Sequence, residues 1–434
     1  MIGPLPVAAV NEGQKMYSLA QELWPLDRSI SGAGVRATLD ILAREIPQLA
    51  RKNFDSGLSV FDWVVPPEWH VREAYIEKPD GTRFCDFALN NLHLVGYSIP
   101  FAGYLGLEEL NLHLHSLPNK PTAIPYVTSY YEQNWGFCLT EIERRELAPG
   151  DYRVVVDTVL EAGSLDYAEA YFPGAVDQEV LFSTYICHPS MANNELSGPV
   201  LSVSLARYVA ALPRHFSYRF LFLPETIGAV AYIHNNLEKL KSNVIAGYVL
   251  TCVGDEREFS YIPSRRGDSL ADRMGLKVLE QMRIYPRRYT WRDRGSDERQ
   301  YCSPGIDLPV CSIIRSKYGE YPEYHTSLDR LGTVVTSKGL QQSFDYYANL
   351  ISFFENSRFP EARFLCEPQL GKRQLKPNLS GKGAQETHEG LMDVLSYCDG
   401  SHSVEEIAAL AGLDDRQAEE ILSILVGHDL LKYR

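Results

Sequence analysis

Residues 179–225 read EVLFSTYICHPSMANNELSGPVLSVSLARYVAALPRHFSYRFLFLPE. The first nine form a compact apolar run of buried-strand length. GPVLSVSLARYVAAL (198–212) has the spacing of a helix, and YRFLFLP (218–224) is a second buried strand. A helix around Ala229–Leu240 follows, and AGYVLTCVG (246–254) is a third strand. Continuous rather than alternating apolar runs belong to strands covered on both faces. Strand–helix–strand alternation therefore predicts an α/β fold: a mixed, mostly parallel sheet sandwiched by helices.

Working outward, residues 14–25 and 34–46 repeat apolar residues at helical spacing and flank a polar loop, Leu26 to Gly32. Residues 56–149 are rich in proline and aromatics, with short alternating runs such as VREAYIEK and LNLHLHSL. YRVVVDTVLEAG and LDYAEAYFPG read as a strand pair. The expected organisation is a discontinuous α/β domain (1–55 and 150–365), an inserted β-rich domain (56–149), a linker (366–385, its basic Gly/Pro-containing part at 371–385) and a winged-helix domain (386–434). In the last, three helices precede GHDLLKYR, which could pair as a wing. Ser403 with Glu406 forms a capping-box pattern.

The chain has 434 residues and a net charge of −14, which disfavours nucleic acid and anionic membrane surfaces as partners. Of this charge, −8 falls in residues 386–434, and the candidate recognition helix DDRQAEEILSIL (414–425) has one Arg against four carboxylates. Packing, homo-oligomer contact or partner docking is left to that domain, and the β-rich insert is the other candidate for a homo-oligomer contact. Eight cysteines stand singly with no CxxC pair, the N-terminus lacks a basic start, and no apolar run nears the ~18 residues of a membrane span. A cytoplasmic protein with reduced thiols is expected.

Polar residues gather where the buried strands end, which is where open α/β sheets place their ligands. His188 closes one strand and leads through Asn194 to Leu196-Ser197-Gly198. Glu225 directly follows the next strand, and Thr251 and Asp255 end the third. Gly295-Ser296-Asp297-Glu298 and Glu323-Tyr324-His325-Thr326 come later. Two histidines and several carboxylates in such places suit a zinc site with N and O ligands, and apolar flanks suit Glu225 to proton transfer.

In order and spacing these segments resemble the zinc-dependent aminopeptidases of the bacterial leucyl aminopeptidase type, with glutaminyl cyclases as relatives. More narrowly, the chain resembles aminopeptidase-like bacterial proteins of unassigned function. Those carry an inserted β-domain with an Asn-Trp-Gly-Phe-Cys stretch (here Asn134 to Cys138) and a C-terminal winged helix. They are often associated with polysaccharide or secondary-metabolite biosynthesis.

The resemblance implies a metal-dependent hydrolase acting on a small-molecule or short peptide-like substrate. Its metal ligands would be His188 and His325, completed by Asp255 or Glu225, with Glu225 as the base. If Glu225 binds metal, Asp297 or Glu298 becomes the candidate base. Arg28, Asn194, Asp297, Glu298 and Tyr324 are the candidate substrate contacts. Two departures from the family pattern stand out. Asn194 occupies the place of a bridging Asp, and Pro224-Glu225-Thr226 keeps one carboxylate of a Glu pair. One zinc ion is therefore expected.

Plainer roles also fit several of these residues. Asn194 could cap the following helix, Asp297 and Glu298 could pair with Arg294 or Arg299, and Arg28 could fix its loop. Asp255 could belong to a solvated charged turn, and Trp135 to a core. A non-catalytic binding or scaffold protein that retains the fold is the alternative to a hydrolase. The acidic tail gives a first prediction: the protein produces no shift of duplex DNA in a gel at about 50 mM salt. A shift that weakens steeply toward about 200 mM would overturn it.

Overall fold

The structure, a computed structural model, describes residues 11–130, 132–373, 375 and 390–433. Residues 374 and 376–385 of the expected linker lie outside the described residues, as do the first ten.

An eight-stranded sheet forms the centre. Its strands run in the order Leu49–Asp55, Ser164–Phe172, Ser217–Leu223, Glu179–Tyr185, Val244–Val249, Val310–Ile314, Ser260–Ile262 and Arg287–Arg288. The four from Ser217–Leu223 to Val310–Ile314 are mutually parallel, and the flanking strands add antiparallel pairs. The fold class read from the sequence is the one observed.

Every residue of Glu179–Tyr185 is buried, because both faces are covered. Val180 and Phe182 pack toward the helices Glu12–Leu23, Ser197–Ala210 and Ser337–Asn356. Leu181 and Tyr185 pack on the opposite side with the helix Ile227–Asn243 and the insert. The polar members are paired: Ser183 bonds Tyr301 Oη (2.9 Å) and Thr184 donates to Leu250 O (2.8 Å). From Glu179–Tyr185 the chain passes to one neighbour and then crosses to the other, so a crevice opens at its carboxyl end.

The insert is an elaborated hairpin connection. Leu49–Asp55 leaves the main sheet and Ser164–Phe172 returns beside it, antiparallel. Between them, Glu68–Glu77, Asp151–Glu161 and Phe101–Gly106 form an antiparallel sheet with a short edge at Arg83–Phe84. This corrects the expected strand pair. Asp151–Glu161 does not pair with Ser164–Phe172, because the chain turns at Ala162-Gly163 from one sheet into the other. Trp135 is buried between His113 and Phe101, with ring separations of 3.8 and 4.3 Å, and so belongs to the insert's core.

At the C-terminal end, residues 390–396, Val404–Leu410 and Asp415–Gly427 are helical and enclose a separate apolar core. The Ser403–Glu406 capping box is formed. Leu431–Tyr433 pairs antiparallel with Pro360–Ala362. Among the described residues, no helix is long and apolar enough to cross a membrane.

Arg219 spans three strands of the sheet. Its fork meets both oxygens of Glu179 at 2.9 Å, and its remaining nitrogen lies 3.2 Å from Glu169. Removing one partner of a buried pair leaves an uncompensated charge. Arg219→Met is expected to cost about 3–5 kcal/mol in chemical denaturation. A loss below about 1 kcal/mol would show the pair to be dispensable.

Candidate metal centre

The crevice holds His188, Glu225 and His325. His188 follows the strand Glu179–Tyr185 and is buried. Its Nδ1 is 2.9 Å from Glu195 Oε2, so the ring presents Nε2 toward Glu225 Oε2 at 3.6 Å. The two histidine rings lie 5.6 Å apart. His325 Nε2 is 3.0 Å from Asn194 Oδ1, and the ring stacks on Tyr324 at 3.9 Å. Asn194 Nδ2 donates to Tyr185 Oη at 3.0 Å, which fixes the amide with its oxygen toward His325.

Glu225 is aimed by local strain. Ile227 N donates to Glu225 O (2.8 Å) across Thr226, whose φ of 64° and ψ of −79° make the rare, strained γ-turn. Asp297 holds this turn by accepting Thr226 N at 2.7 Å, and Ser296 Oγ donates to Glu225 Oε1 at 3.1 Å. His325 also has a positive φ, 52°. Strain of this kind persists only where its surroundings over-determine it.

The loop between His188 and the helix Ser197–Ala210 is clamped by two carboxylates. Asp329 accepts Asn193 N (2.8 Å) and Asn194 N (3.0 Å). Asp255 accepts Asn193 Nδ2 (2.9 Å), while Asn193 Oδ1 takes Gly254 N (2.8 Å). So held, residues Ala192–Leu196 form a single π-turn, a feature frequent at functional sites.

Several expected roles change. Asp255, expected as a candidate ligand, has both oxygens engaged within the protein: it also accepts Arg257 N, Ser316 N and Ser316 Oγ, and is buried. Arg28 does not face substrate. It is sealed beneath the centre, donating to His188 O (3.2 Å) and Leu23 O (2.6 Å), with Glu195 Oε1 at 3.5 Å. Asp297 supports the Thr226 turn instead of contacting substrate. Glu298 accepts Gly295 N, Ser296 N and Tyr318 Oη. Both are fully buried, and neither forms an ion pair with Arg294 or Arg299, which donate instead to Trp291 O and Thr226 Oγ1. Asn194 does not cap a helix, because its side chain is spent on His325 and Tyr185. Thr251 is bound within the same network, to Tyr185 Oη and Asn194 O.

Three participants escaped the sequence reading. Glu195 sits one residue beyond Asn194, and only the fold shows it under His188. Asp329 lies four residues past His325 in an unremarkable Ser-Leu-Asp. Tyr126 comes from the insert: its N donates to His325 O (2.9 Å), and its ring lies 5.1 Å from His188 and 5.2 Å from His325.

The electrostatics divide the two sides of His188. Burial, with Arg28 assisting, lowers its pKa to about 3. Burial, with His188 assisting, does the same to His325. Both rings therefore keep the lone pairs a metal requires. Burial pushes Glu195 up to about 8 against the pull of Arg28. Burial and the neighbouring Asp297 raise Glu225 to about 8, and burial raises Asp297 to about 7. Crowded carboxyls on the Nε2 side attract a cation.

Among the described residues, Cys187, His188 and Glu195 are the one His, Cys, Asp or Glu trio whose donor atoms lie within 4.8 Å of one another; His188, Glu225 and His325 are not gathered that tightly. The Cys187 trio lies on the Nδ1 side, where the Arg28 guanidinium opposes a cation and the Nδ1–Glu195 bond would have to break. Burial holds the Cys187 thiol well above its ordinary pKa, and its sulfur accepts Glu225 N at 3.2 Å. The candidate donors on the other side are His188 Nε2, Glu225 Oε2 at 3.6 Å from it and, with its ring 5.6 Å from that of His188, His325, beside the Asn194 oxygen. Glu195 orients the first of these.

The fold, a mostly parallel sheet between helices, is that of the zinc aminopeptidases. The zinc aminopeptidase BSAP from Bacillus subtilis has a TM-score of 0.60 at 14% identity, covering 80% of this chain and 95% of its own. The M28 peptidase precursor from Shewanella amazonensis has a TM-score of 0.56 at 12% identity, covering 82% and 97%. The chain belongs to the family described as Domain of unknown function (DUF4910), matched over residues 17–357, and residues 358–433 match a winged helix-turn-helix family.

A Clostridium acetobutylicum relative is 42% identical over 422 residues, covering 97% of this chain and 96% of its own. It is provisionally named a polysaccharide biosynthesis protein with an aminopeptidase-like domain. A crystal structure from Clostridium acetobutylicum, provisionally named a peptidase, has a TM-score of 0.80 at 41% identity, covering 97% and 96%. The resemblance read from the strand-end motifs is the relationship found.

Two substitutions test these assignments by chelator-competition titration with zinc. Glu195→Gln is expected to weaken zinc binding about 10–100-fold. Asp255→Asn is expected to leave zinc affinity unchanged while lowering stability. Equal effects on zinc would contradict the division of roles.

Proposed function

We propose that the protein is a metal-dependent hydrolase of the aminopeptidase type, cleaving an amide or peptide bond in a small aminoacyl-type substrate. The observation that carries this reading is His188, whose Nδ1 is committed to Glu195 while its Nε2 faces Glu225 Oε2 at 3.6 Å, with the His325 ring 5.6 Å away. One zinc ion would be held by the two histidines, with Glu225 or the Asn194 oxygen completing the set. When bound, it would supply Lewis-acid polarisation of a carbonyl and a water acidified to near-neutral pKa.

The chain's own residues supply the rest. Glu225, raised toward neutrality, takes and returns a proton beside His188. Asp297 and Ser296 keep its carboxyl in place. Tyr126 and Tyr324 wall the cleft, which favours a small substrate. The name of the Clostridium acetobutylicum relative supports a role in biosynthesis rather than in bulk protein turnover. Asn194 favours a second reading. An amide in the place of a bridging carboxylate suits a non-catalytic protein that binds its ligand without cleaving it.

Turnover on a panel of aminoacyl amides, abolished by chelation and restored by zinc, is the expected result. Inactivity across the panel with zinc bound would favour the binding protein. Glu225→Gln is expected to retain zinc while kcat falls by about 10²–10⁴. Loss of zinc in that variant would make Glu225 a ligand instead of the base.

A further inference from the structure

Three distant parts of the chain meet around a cavity of about 620 Å³. They are the residues following the helix Glu12–Leu23, the insert turn before Asn91–His93, and the two loops that leave the metal centre. Trp24, Asp27, Asn91, Ser190, Ser327 and Arg330 are among its walls. Ser190 and Ser327 each lie two residues beyond a histidine of the centre, yet neither histidine nor Glu225 lines the cavity. A volume of this size, built where separate segments converge, is within the ordinary range for small-ligand sites.

The wall chemistry narrows the ligand. Burial raises the one carboxyl, Asp27, to about 7, so beside the single exposed guanidinium of Arg330 the lining carries at most one positive charge. Hydrogen-bonding groups are dense. Arg330 spends its Nε on Ser327 O (2.6 Å) and keeps its terminal nitrogens as donors. Ser327 Oγ accepts Ile124 N at 3.0 Å and retains its own proton to donate. Trp24, half-buried, adds a flat indole whose negative face suits the C–H face of a saturated ring.

We propose that this cavity is a binding site for a neutral, hydroxyl-rich ring compound of sugar dimensions, distinct from the metal centre. Its hydroxyls meet the hydroxyl and guanidinium groups, and its ring lies against Trp24. The site does not depend on the hydrolase reading.

The test is calorimetric titration of the full chain with glucose, N-acetylglucosamine and cellobiose, with glucuronic acid as the anionic control. At least one neutral sugar is expected to bind, and EDTA is expected to leave its affinity unchanged. Trp24→Leu and the exposed-site variant Arg330→Ala are each expected to weaken binding at least about tenfold, with thermal melts confirming the fold. Four outcomes would overturn the proposal: no neutral sugar binding at about 10 mM; glucuronic acid alone binding, with steep salt dependence; binding untouched by either variant; or binding lost on chelation.

Discussion

A buried arginine underlies the centre. Arg28 has its side chain wholly enclosed, where an unpaired charge is costly. Its partners are the Leu23 and His188 carbonyls and, at 3.5 Å, Glu195. These contacts tie the N-terminal helix, the end of the strand Glu179–Tyr185 and the π-turn Ala192–Leu196 into one body. Glu195 in turn holds His188. The orientation of the His188 ring therefore traces back to a fully enclosed side chain.

The same arginine makes the centre electrically asymmetric. A cation on the Nδ1 side of His188 meets a guanidinium. On the Nε2 side it meets Glu225, with Asp297 behind it. Asp297 acts twice, raising the pKa of Glu225 through its charge and holding the Thr226 turn that presents it. Strain at Thr226 and His325 is balanced by hydrogen bonds from elements far away in sequence. Tyr126 completes the cleft from the insert, which reaches the centre through the Pro125–Thr326 bridge.

Much of this was legible in the residues. Unbroken apolar runs require strands covered on both faces, so the central sheet followed from Glu179–Tyr185 and its neighbours. His188 and Glu225 stood out because they directly follow such runs, and His325 through its Tyr324-His325-Thr326 setting. The errors share a cause. Asp255, Asp297, Glu298 and Arg28 also lie at strand ends or in loops, and sequence does not reveal whether such a group turns inward to backbone donors. Asp255 turned inward, and its carboxylate is saturated by Asn193, Arg257 and Ser316. The strand Asp151–Glu161 was assigned to the wrong sheet for a related reason: alternation marks a strand but not its partner.

The sequence by itself determined the α/β class, the acidic character of the C-terminal domain and which two histidines could face one another. These depend on local periodicity, charge and position relative to strand ends. Only the tertiary structure decided that Glu195 orients His188, that Tyr126 walls the cleft and that Arg28 lies beneath it. Each of those roles depends on a distance between segments far apart in space-filling order or hidden behind a turn. Such distances are set by how the sheet, the π-turn and the insert pack together.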